Sequence, residues 1–204
     1  QPRSRGLGDV YKRQEQEAHD AWAETLGRIS VEGGTEEQRR VFYTALYHTQ
    51  IHPNILQDVN GEYPRMEGDE TLKTSTNRYT VFSLWDTYRN LAQLQTLLFP
   101  DKQEQMIGSM IDMYKEWGWM PKWELYGRET WTMEGDPSIP IITDAWLKGL
   151  RGFDINTAYK AFHASAMLPG KLNKMRPDID PYYTLGYIPM GVYAACLLYT
   201  SDAA

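Results

Sequence analysis

Apolar residues recur every three or four positions along most of this chain, and proline or glycine residues interrupt each run. That spacing is typical of amphipathic helices, because side chains three and four positions apart lie on one helical face. The predicted helices begin near Glu15, Thr35, Val81, Asp101, Pro140 and Asp154 and stop before Gly33, Pro53, Pro100, Gly118, Gly149 and Pro169. Capping boxes are predicted for Thr35 with Gln38 and for Asp101 with Glu104, and Asp154 is a predicted N-cap. The sequence therefore predicts a mostly α chain.

Three regions break the helical pattern: residues 57–80, residues 118–138 and residues 171–190. Residues 59–62, Val-Asn-Gly-Glu, predict a tight hairpin turn, and the polar residues 67–77 predict an excursion loop. Residues 118–138 predict a long Trp-rich loop, and residues 171–190 predict a mostly irregular segment. Antiparallel helix pairs with long loops at one end are the arrangement of helical toroids, and six helices of this length are too few to close one. We therefore expect an arc of a toroid with one β-hairpin excursion.

The two ends of the chain share no periodicity with their neighbours. Both resemble translated sequencing-adapter sequence, which is excluded from fold reasoning as a tag would be. We expect residues 1–14 and residues 196–204 to be non-native tails, and residues 15–195 to be the native stretch. The single cysteine, Cys196, falls in the second tail, so we expect no disulfide within the native stretch.

Composition excludes several classes of function. A formal net charge of −6, with 21 Lys and Arg against 27 Asp and Glu, argues against nucleic acid as a partner. No apolar run approaches the ~20 residues of a membrane-spanning helix. The sequence also lacks HExxH, GxGxxG, GxxxxGK[ST] and paired cysteines, so it predicts neither a zinc site nor a nucleotide site of those types.

A cluster of tryptophans interleaved with charged residues is the main positive signal. The cluster comprises Trp117, Trp119, Trp123 and Trp131, with Lys122, Glu124, Arg128 and Glu129 between them. Sugar sites combine an aromatic face for the C–H side of the ring with charged groups for its hydroxyls. Exposed loops seldom carry so much apolar surface without a use for it, so the cluster is a candidate sugar site. A small satellite core is the alternative.

Two other pairs have simple structural explanations. Asp86 and Arg89 lie three apart on one predicted helix, where an ion pair would stabilise by only ~0.2 to 0.5 kcal/mol. His48 and His52 are four apart, a spacing that suits a shared metal. However, Pro53 follows at once and no third ligand is in register, so a surface or core role is favoured.

Five segments in order carry a family resemblance. They are FSLWDTYR (82–89), LLFP (97–100), GWMPKWELYGRETWTMEGDP (118–137), ITDAWLKGLRGFD (142–154) and LGYIP (185–189). Together they resemble the catalytic domain of glycoside hydrolase family 92, over about residues 35–190. The resemblance implies an (α/α)6 toroid and a calcium-dependent, inverting exo-α-mannosidase, and it makes residues 15–195 a fragment of that catalytic domain.

The resemblance also implies which residues meet the sugar. Asp86 matches the aspartate expected to bind hydroxyls of the terminal mannose, and Trp85 lies beside it. Arg128 and Glu129 are the next candidates by position in the motif, while the carry-over to Trp123 and Glu124 is weaker.

The general acid, the general base and the calcium ligands are expected elsewhere. The family motifs that resemble EGNAWQY, GDEDxGQMSAW and GNEP are absent from this sequence. We therefore expect no catalytic and no metal-ligating residue in this chain, and we expect all three sets beyond its C-terminal end. On that basis the chain alone would be inactive.

The resemblance predicts removal of terminal α-linked mannose from mannose-containing glycans, as in N-glycan degradation, by a protein exported to the periplasm, the cell surface or the medium. A non-catalytic helical carbohydrate-binding or scaffold module is the alternative from another functional class. A toroidal glycosidase acting on glucosides is a third possibility, which the WD and GRET motifs make less favoured.

Overall fold

The computed structural model describes residues 3–168, 175–176 and 178–191, with side chains from Gly8 onward. Within these residues the helices are α1 (Arg3–Leu26), α2 (Glu36–His48), α3 (Leu84–Thr87), α4 (Leu91–Leu98), α5 (Pro100–Trp117), α6 (Ser138–Leu147), α7 (Ile155–Met167) and α8 (Ile179–Leu185). The strands are β1 (Asn54–Ile55), β2 (Glu62–Pro64), β3 (Thr71–Lys73), β4 (Tyr79–Thr80), β5 (Phe82–Ser83), β6 (Trp123–Leu125) and β7 (Arg128–Glu129). The predicted mostly α class is confirmed. None of the described helices combines the length and the apolar character that crossing a membrane requires.

The chain divides into two compact units, and the first ends at Ile51. In this unit α1 starts earlier than its periodicity predicts. It also stops earlier, because Gly27 follows Leu26 directly and glycine disfavours helix. The capping box of α2 is confirmed: the Thr35 hydroxyl accepts the Gln38 N–H at 3.2 Å, and the Gln38 side chain accepts the Thr35 N–H at 2.8 Å. Residues 3–14 belong to α1, while the non-native origin predicted for residues 1–14 stays a prediction. Residues 196–204, the other predicted tail, lie outside the described residues.

The second unit starts at His52 and contains three small antiparallel sheets. Strand β1 pairs with β4, β2 pairs with β3, and β5, β6 and β7 form a three-stranded sheet. The hairpin turn predicted at residues 59–62 is wrong, because the paired strands β2 and β3 are joined by residues 65–70. A turn does occur just before β2, where the Gly61 N–H donates to the Asp58 carbonyl at 2.9 Å. A side chain at Gly61 would meet the Thr74 carbonyl, so this position requires glycine.

The single helix predicted from Val81 to Leu98 is also wrong. The segment contains strand β5, the one-turn helix α3 and then α4. Val81 has a φ of 65°, which no helix accommodates, and the Asn90 side chain accepts the Leu91 N–H at 2.9 Å to start α4. Apolar residues at three- and four-residue spacing continue through β5, α3 and α4, so the sequence pattern does not reveal the break.

Helix α5 is the central element of the second unit, and its apolar side chains are the most deeply buried. The core around it contains Phe82, Leu84, Met106, Ile107, Met110, Ile111, Met113, Met120, Ile141, Ile142, Ala145 and Ala158. Helices α6 and α7 contribute to this core as predicted, and the Asp154 carboxylate caps α7 at 3.1 Å from two backbone N–H groups. The irregular segment predicted at residues 171–190 is wrong where it is described, because α8 lies within it.

The capping role predicted for Asp101 and Glu104 at the start of α5 is wrong. Phe99 is the N-cap and gives no side-chain bond, while Pro100 fills the first helical position, where a missing N–H has no consequence. The Glu104 carboxylate instead accepts the N–H groups of Arg151 and Gly152, each at 2.7 Å. Glu104 therefore fixes the turn between α6 and α7 against α5.

The buried carboxylate of Glu116, on α5, bonds both Arg78 and the β2–β3 hairpin. The Arg78 guanidinium, whose side chain is 2% exposed, donates to Glu116 at 3.0 Å. The same carboxylate accepts the Tyr63 hydroxyl at 3.0 Å and the Met66 N–H at 2.7 Å. Burial, together with the Glu116 charge, raises the pKa of Tyr63 to about 12. A buried charge needs such partners, because leaving either one unpaired is costly.

We predict that Glu104→Ala lowers the free energy of unfolding of this chain by about 1 to 2 kcal/mol, because two backbone N–H groups lose a charged acceptor. Asp112→Ala, on the same helix, removes only an exposed pair with Lys115 and should cost about 0.5 kcal/mol or less. Urea denaturation of the three proteins measures both differences. Equal losses in the two variants would contradict the anchoring role of Glu104.

Candidate functional site

The sheet β5–β6–β7 brings the WD segment against the Trp-rich segment. Ser83 pairs with Trp123, and Glu124 pairs with both Phe82 and Glu129. The long loop predicted at residues 118–138 is therefore wrong for residues 123–129, which form a β-hairpin. Its two-residue turn, Tyr126 and Gly127, has φ values of 50° and 82°, as in a type I′ turn.

Glu124 lies in the interior of this sheet, with an exposed fraction of 0%. Its carboxylate accepts the Thr80 hydroxyl at 2.8 Å, the Val81 N–H at 3.0 Å and the Gly127 N–H at 2.6 Å. The Thr80 hydroxyl oxygen in turn accepts the Tyr126 N–H at 2.8 Å. Burial raises the pKa of Glu124, and these hydrogen bonds oppose the rise. The Glu124 carboxylate therefore bonds the backbone of Val81 and Gly127 and the Thr80 hydroxyl, not solvent or a ligand.

Glu129, on the neighbouring strand, has a similar role, with an exposed fraction of 8%. Its carboxylate accepts the N–H groups of Lys122 at 2.7 Å, Trp123 at 2.9 Å and Trp131 at 3.0 Å. The Thr130 hydroxyl donates to the Trp123 carbonyl at 2.7 Å. Glu129 and Thr130 thus fix the backbone of two tryptophans in the cluster.

Asp86 is the exposed carboxylate of the group. Its Oδ2 accepts the indole N–H of Trp123 at 3.3 Å. No ion pair joins Asp86 to Arg89 among the described residues, so the pairing considered from the sequence is wrong. The Arg89 guanidinium instead lies over the rings of Trp85 and Tyr88, 5.1 and 5.2 Å from their centroids. Asp86 and Trp123 therefore lie together, with Asp86 exposed and Trp123 half-buried, and Trp85 precedes Asp86 in the chain.

Arg128 is paired within the protein. Its guanidinium contacts the carboxylates of Asp69 at 2.9 Å and Glu67 at 3.9 Å. The Glu67 side chain also accepts the Glu129 N–H at 2.6 Å, and the Glu67 N–H donates to the Gly127 carbonyl at 2.9 Å. The β2–β3 connection is therefore bonded to the tip of the β6–β7 hairpin.

All six residues predicted to meet the sugar lie in or beside this one sheet. Asp86 is bonded to Trp123, Trp85 contacts Arg89, and Arg128 is paired with two acids. The Glu124 and Glu129 carboxylates are directed at backbone N–H groups. Sequence reasoning missed Glu67, Asp69 and Thr80, whose contacts span more than forty positions. The acidic residues of the excursion loop were the available signal, but nothing in the sequence pairs them with Arg128.

The described residues do not fit a calcium site built from acidic side chains. No three His, Cys, Asp or Glu side chains among residues 8–168, 175–176 and 178–191 are grouped so that they could hold a metal ion. The calcium dependence implied by the family resemblance therefore has no ligand set in these stretches of the chain.

Comparisons with known proteins give a consistent result. The sequence matches the model of the Glycosyl hydrolase family 92 catalytic domain over residues 7–201. In structure it is similar to a family GH92 inverting mannosidase of Bacteroides thetaiotaomicron, with a TM-score of 0.76 and 33% identity over 86% of this chain and 24% of that one. A GH92 α-mannosidase of the same organism gives a TM-score of 0.81 and 30% identity over 89% of this chain and 24% of that one.

A structure of the second mannosidase in complex with mannoimidazole gives a TM-score of 0.78, again at 30% identity, over 86% of this chain and 23% of that one. Among curated proteins, an uncharacterized secreted glycosidase of Arthroderma benhamiae is 26% identical over 87% of this chain and 19% of that protein. The chain thus spans about a quarter or less of the relatives that it matches. The family match extends into both predicted tails, whose origin stays a prediction.

We predict that Glu124→Gln lowers the free energy of unfolding by about 1 to 3 kcal/mol. The amide oxygen can keep the two donors at Oε1, but its nitrogen then faces the Val81 N–H, and a buried donor left without an acceptor costs about that much. Glu62→Gln, at an exposed position of β2, should change stability by less than about 0.5 kcal/mol. Thermal and urea denaturation of this chain would measure both. A Glu124→Gln variant as stable as wild type would show that the carboxylate is not needed there.

Proposed function

The chain belongs to glycosyl hydrolase family 92, and we propose that the larger protein to which it belongs removes terminal α-linked mannose from glycans. The family match and the mannosidase neighbours support a glycosidase of this type. The mannoimidazole complex of one neighbour supports a mannose-like group as the ligand class. Because this chain spans about a quarter of those structures, the activity is proposed for the whole domain.

Within that domain we assign sugar binding to the surface formed by Trp85, Asp86 and Trp123. The observation that carries this assignment is the exposed Asp86 carboxylate, of which only Oδ2 is bonded within the described residues. Its Oδ1 is left to accept a sugar hydroxyl, and a charge-assisted hydrogen bond of this kind is stronger than a neutral one. Nearby tryptophan rings can cover the apolar face of the sugar.

The proposed reaction is an inverting displacement. Such a reaction needs a carboxylic acid to protonate the leaving oxygen and a carboxylate on the opposite face to activate water, typically ~6.5 to 9.5 Å apart. Glu124 and Glu129 are poor candidates for either role, because their oxygens already accept backbone N–H groups. We propose that acid and base come from other regions of the catalytic domain, while this chain binds and orients the sugar.

Two finer proposals rest on the family alone. Calcium dependence is proposed for the complete domain, and no step is derived from it because the described residues offer no ligand set. Export to the periplasm, cell surface or medium is also proposed, in keeping with the curated relative that is described as secreted.

A second candidate function is a non-catalytic carbohydrate-binding module. The observation in its favour is that the two buried glutamates of the sheet serve the backbone, which leaves binding groups but no acid–base pair at this surface among the described residues. Mannoside binding without turnover by the complete domain would support the module, whereas turnover would support the mannosidase.

We predict that Asp86→Ala in the complete domain lowers kcat/KM for an aryl α-mannoside about 10- to 100-fold. Losing a hydrogen bond to a charged group costs ~1.5 to 3 kcal/mol in transition-state binding. Asp112→Ala, a helical aspartate elsewhere, should leave kcat/KM unchanged. Both variants should melt within a few degrees of wild type, since each aspartate lies at the surface or near it. A large drop in Tm with unchanged turnover per folded molecule would make Asp86 a structural residue only.

We also predict that the 204-residue chain by itself releases no mannose from an aryl α-mannoside, with or without calcium. General acid–base assistance typically contributes ~10²- to 10⁴-fold per group, so a chain without both groups retains negligible rate. A discontinuous assay with purified, monodisperse chain tests this. Turnover above the rate of an Asp86→Ala control would contradict the placement of acid and base outside the chain.

A further inference from the structure

Trp123 makes two hydrogen bonds that connect a buried glutamate to the exposed aspartate of the site. Its backbone N–H donates to Glu129 Oε1 at 2.9 Å, and its indole N–H donates to Asp86 Oδ2 at 3.3 Å. We propose that Trp123 is a positioning residue, which sets the orientation of the Asp86 carboxylate and is itself held in place by Glu129. This inference rests on the proposed function, because it concerns the same sugar-binding surface.

The Asp86 carboxylate needs such a partner because its terminal side-chain torsion has no strongly preferred value. The terminal torsion of an aspartate is broad and nearly two-fold, so an exposed carboxylate without a partner samples many orientations. The indole of tryptophan carries one N–H donor and no acceptor, and in Trp123 that donor is bonded to Oδ2 of Asp86. With Oδ2 occupied by Trp123, Oδ1 has a defined direction and is open to a hydroxyl donor.

Trp123 can do this because its backbone is fixed on both sides. Its N–H is bonded to Glu129, and its carbonyl accepts the Thr130 hydroxyl at 2.7 Å. It also pairs with Ser83 on β5, three residues before Asp86. The indole therefore starts from a fixed backbone position, and its N–H reaches the first turn of α3, where Asp86 lies.

The alternative is that Trp123 contacts the sugar directly by stacking and contributes independently of Asp86. The two roles differ in what a phenylalanine would preserve. Phenylalanine keeps an aromatic face for stacking but has no N–H, so Trp123→Phe removes the positioning bond selectively.

The test is a double-mutant cycle in the complete domain, using kcat/KM for an aryl α-mannoside. Trp123→Phe should lower kcat/KM about three- to tenfold, as expected for the loss of one hydrogen bond. In an Asp86→Ala background the same substitution should change it less than about twofold, because the carboxylate it positions is gone. Trp146→Phe, on α6, is the matched control and should have no effect in either background.

A spectroscopic measurement keeps the inference falsifiable if Trp123→Phe folds poorly. The indole N–H resonance of Trp123, assigned by difference, should shift in ¹⁵N–¹H spectra of Asp86→Ala and stay in place in Asp112→Ala. An unshifted resonance would overturn the inference. It would also be overturned if Trp123→Phe lowered kcat/KM by the same factor in the wild-type and the Asp86→Ala backgrounds. If the complete wild-type domain turns over no mannoside, the proposed function fails and this inference fails with it. If the wild-type domain turns over the mannoside and the two substitutions lower kcat/KM independently, only this inference is overturned.

Discussion

The buried carboxylate of Glu124 is the interaction on which the geometry of the site depends. It joins the end of β4 to the β6–β7 turn by accepting hydrogen bonds from Thr80, Val81 and Gly127. Val81 and Tyr126 both have positive φ, a conformation that costs ~1 kcal/mol or more for residues with a Cβ atom. Such strained backbone persists only when surrounding contacts hold it in place. Hydrogen bonds from Val81 to Glu124 and from Tyr126 to Thr80 do so here. Without that bonding, β5 and β6 would lose the register that places Trp123 beside α3.

The helices were largely predictable from sequence, and the strands were not. Apolar spacing predicts α2, α5, α6 and α7, and the last three bury side chains three and four positions apart. The Thr35 and Asp154 caps are local signals. The strands have two or three residues each, too short for an alternating pattern to be detected. The three-stranded sheet is bonded to the end of β4 through Glu124, which lies more than forty positions away from Thr80 and Val81. A long-range contact of that kind leaves no periodic trace.

The same contrast applies to the candidate site: the sequence shows the residue types, whereas it does not show which groups they contact. The structure places the segments that the sequence indicated in or beside one sheet, but the chemical type of a side chain does not reveal its partner. Arg128 was a candidate for sugar hydroxyls, yet its nearest acceptor is Asp69 on the β2–β3 connection. Glu129 was another, yet its oxygens accept three backbone N–H groups. In both cases the decisive partner is either distant in sequence or a main-chain group common to nearly every residue.

Burial separates the three acidic residues of the sheet region into two kinds. Glu124 and Glu129 are enclosed, and an enclosed carboxylate must be satisfied by the protein because its desolvation cost is otherwise unmet. Asp86 is exposed, so water can serve its free oxygen until a ligand replaces it. The enclosed pair therefore supplies rigidity, and the exposed member keeps bonding capacity for a ligand. Because Trp123 contacts Glu129 through its backbone and Asp86 through its side chain, it is the residue through which that rigidity reaches the surface.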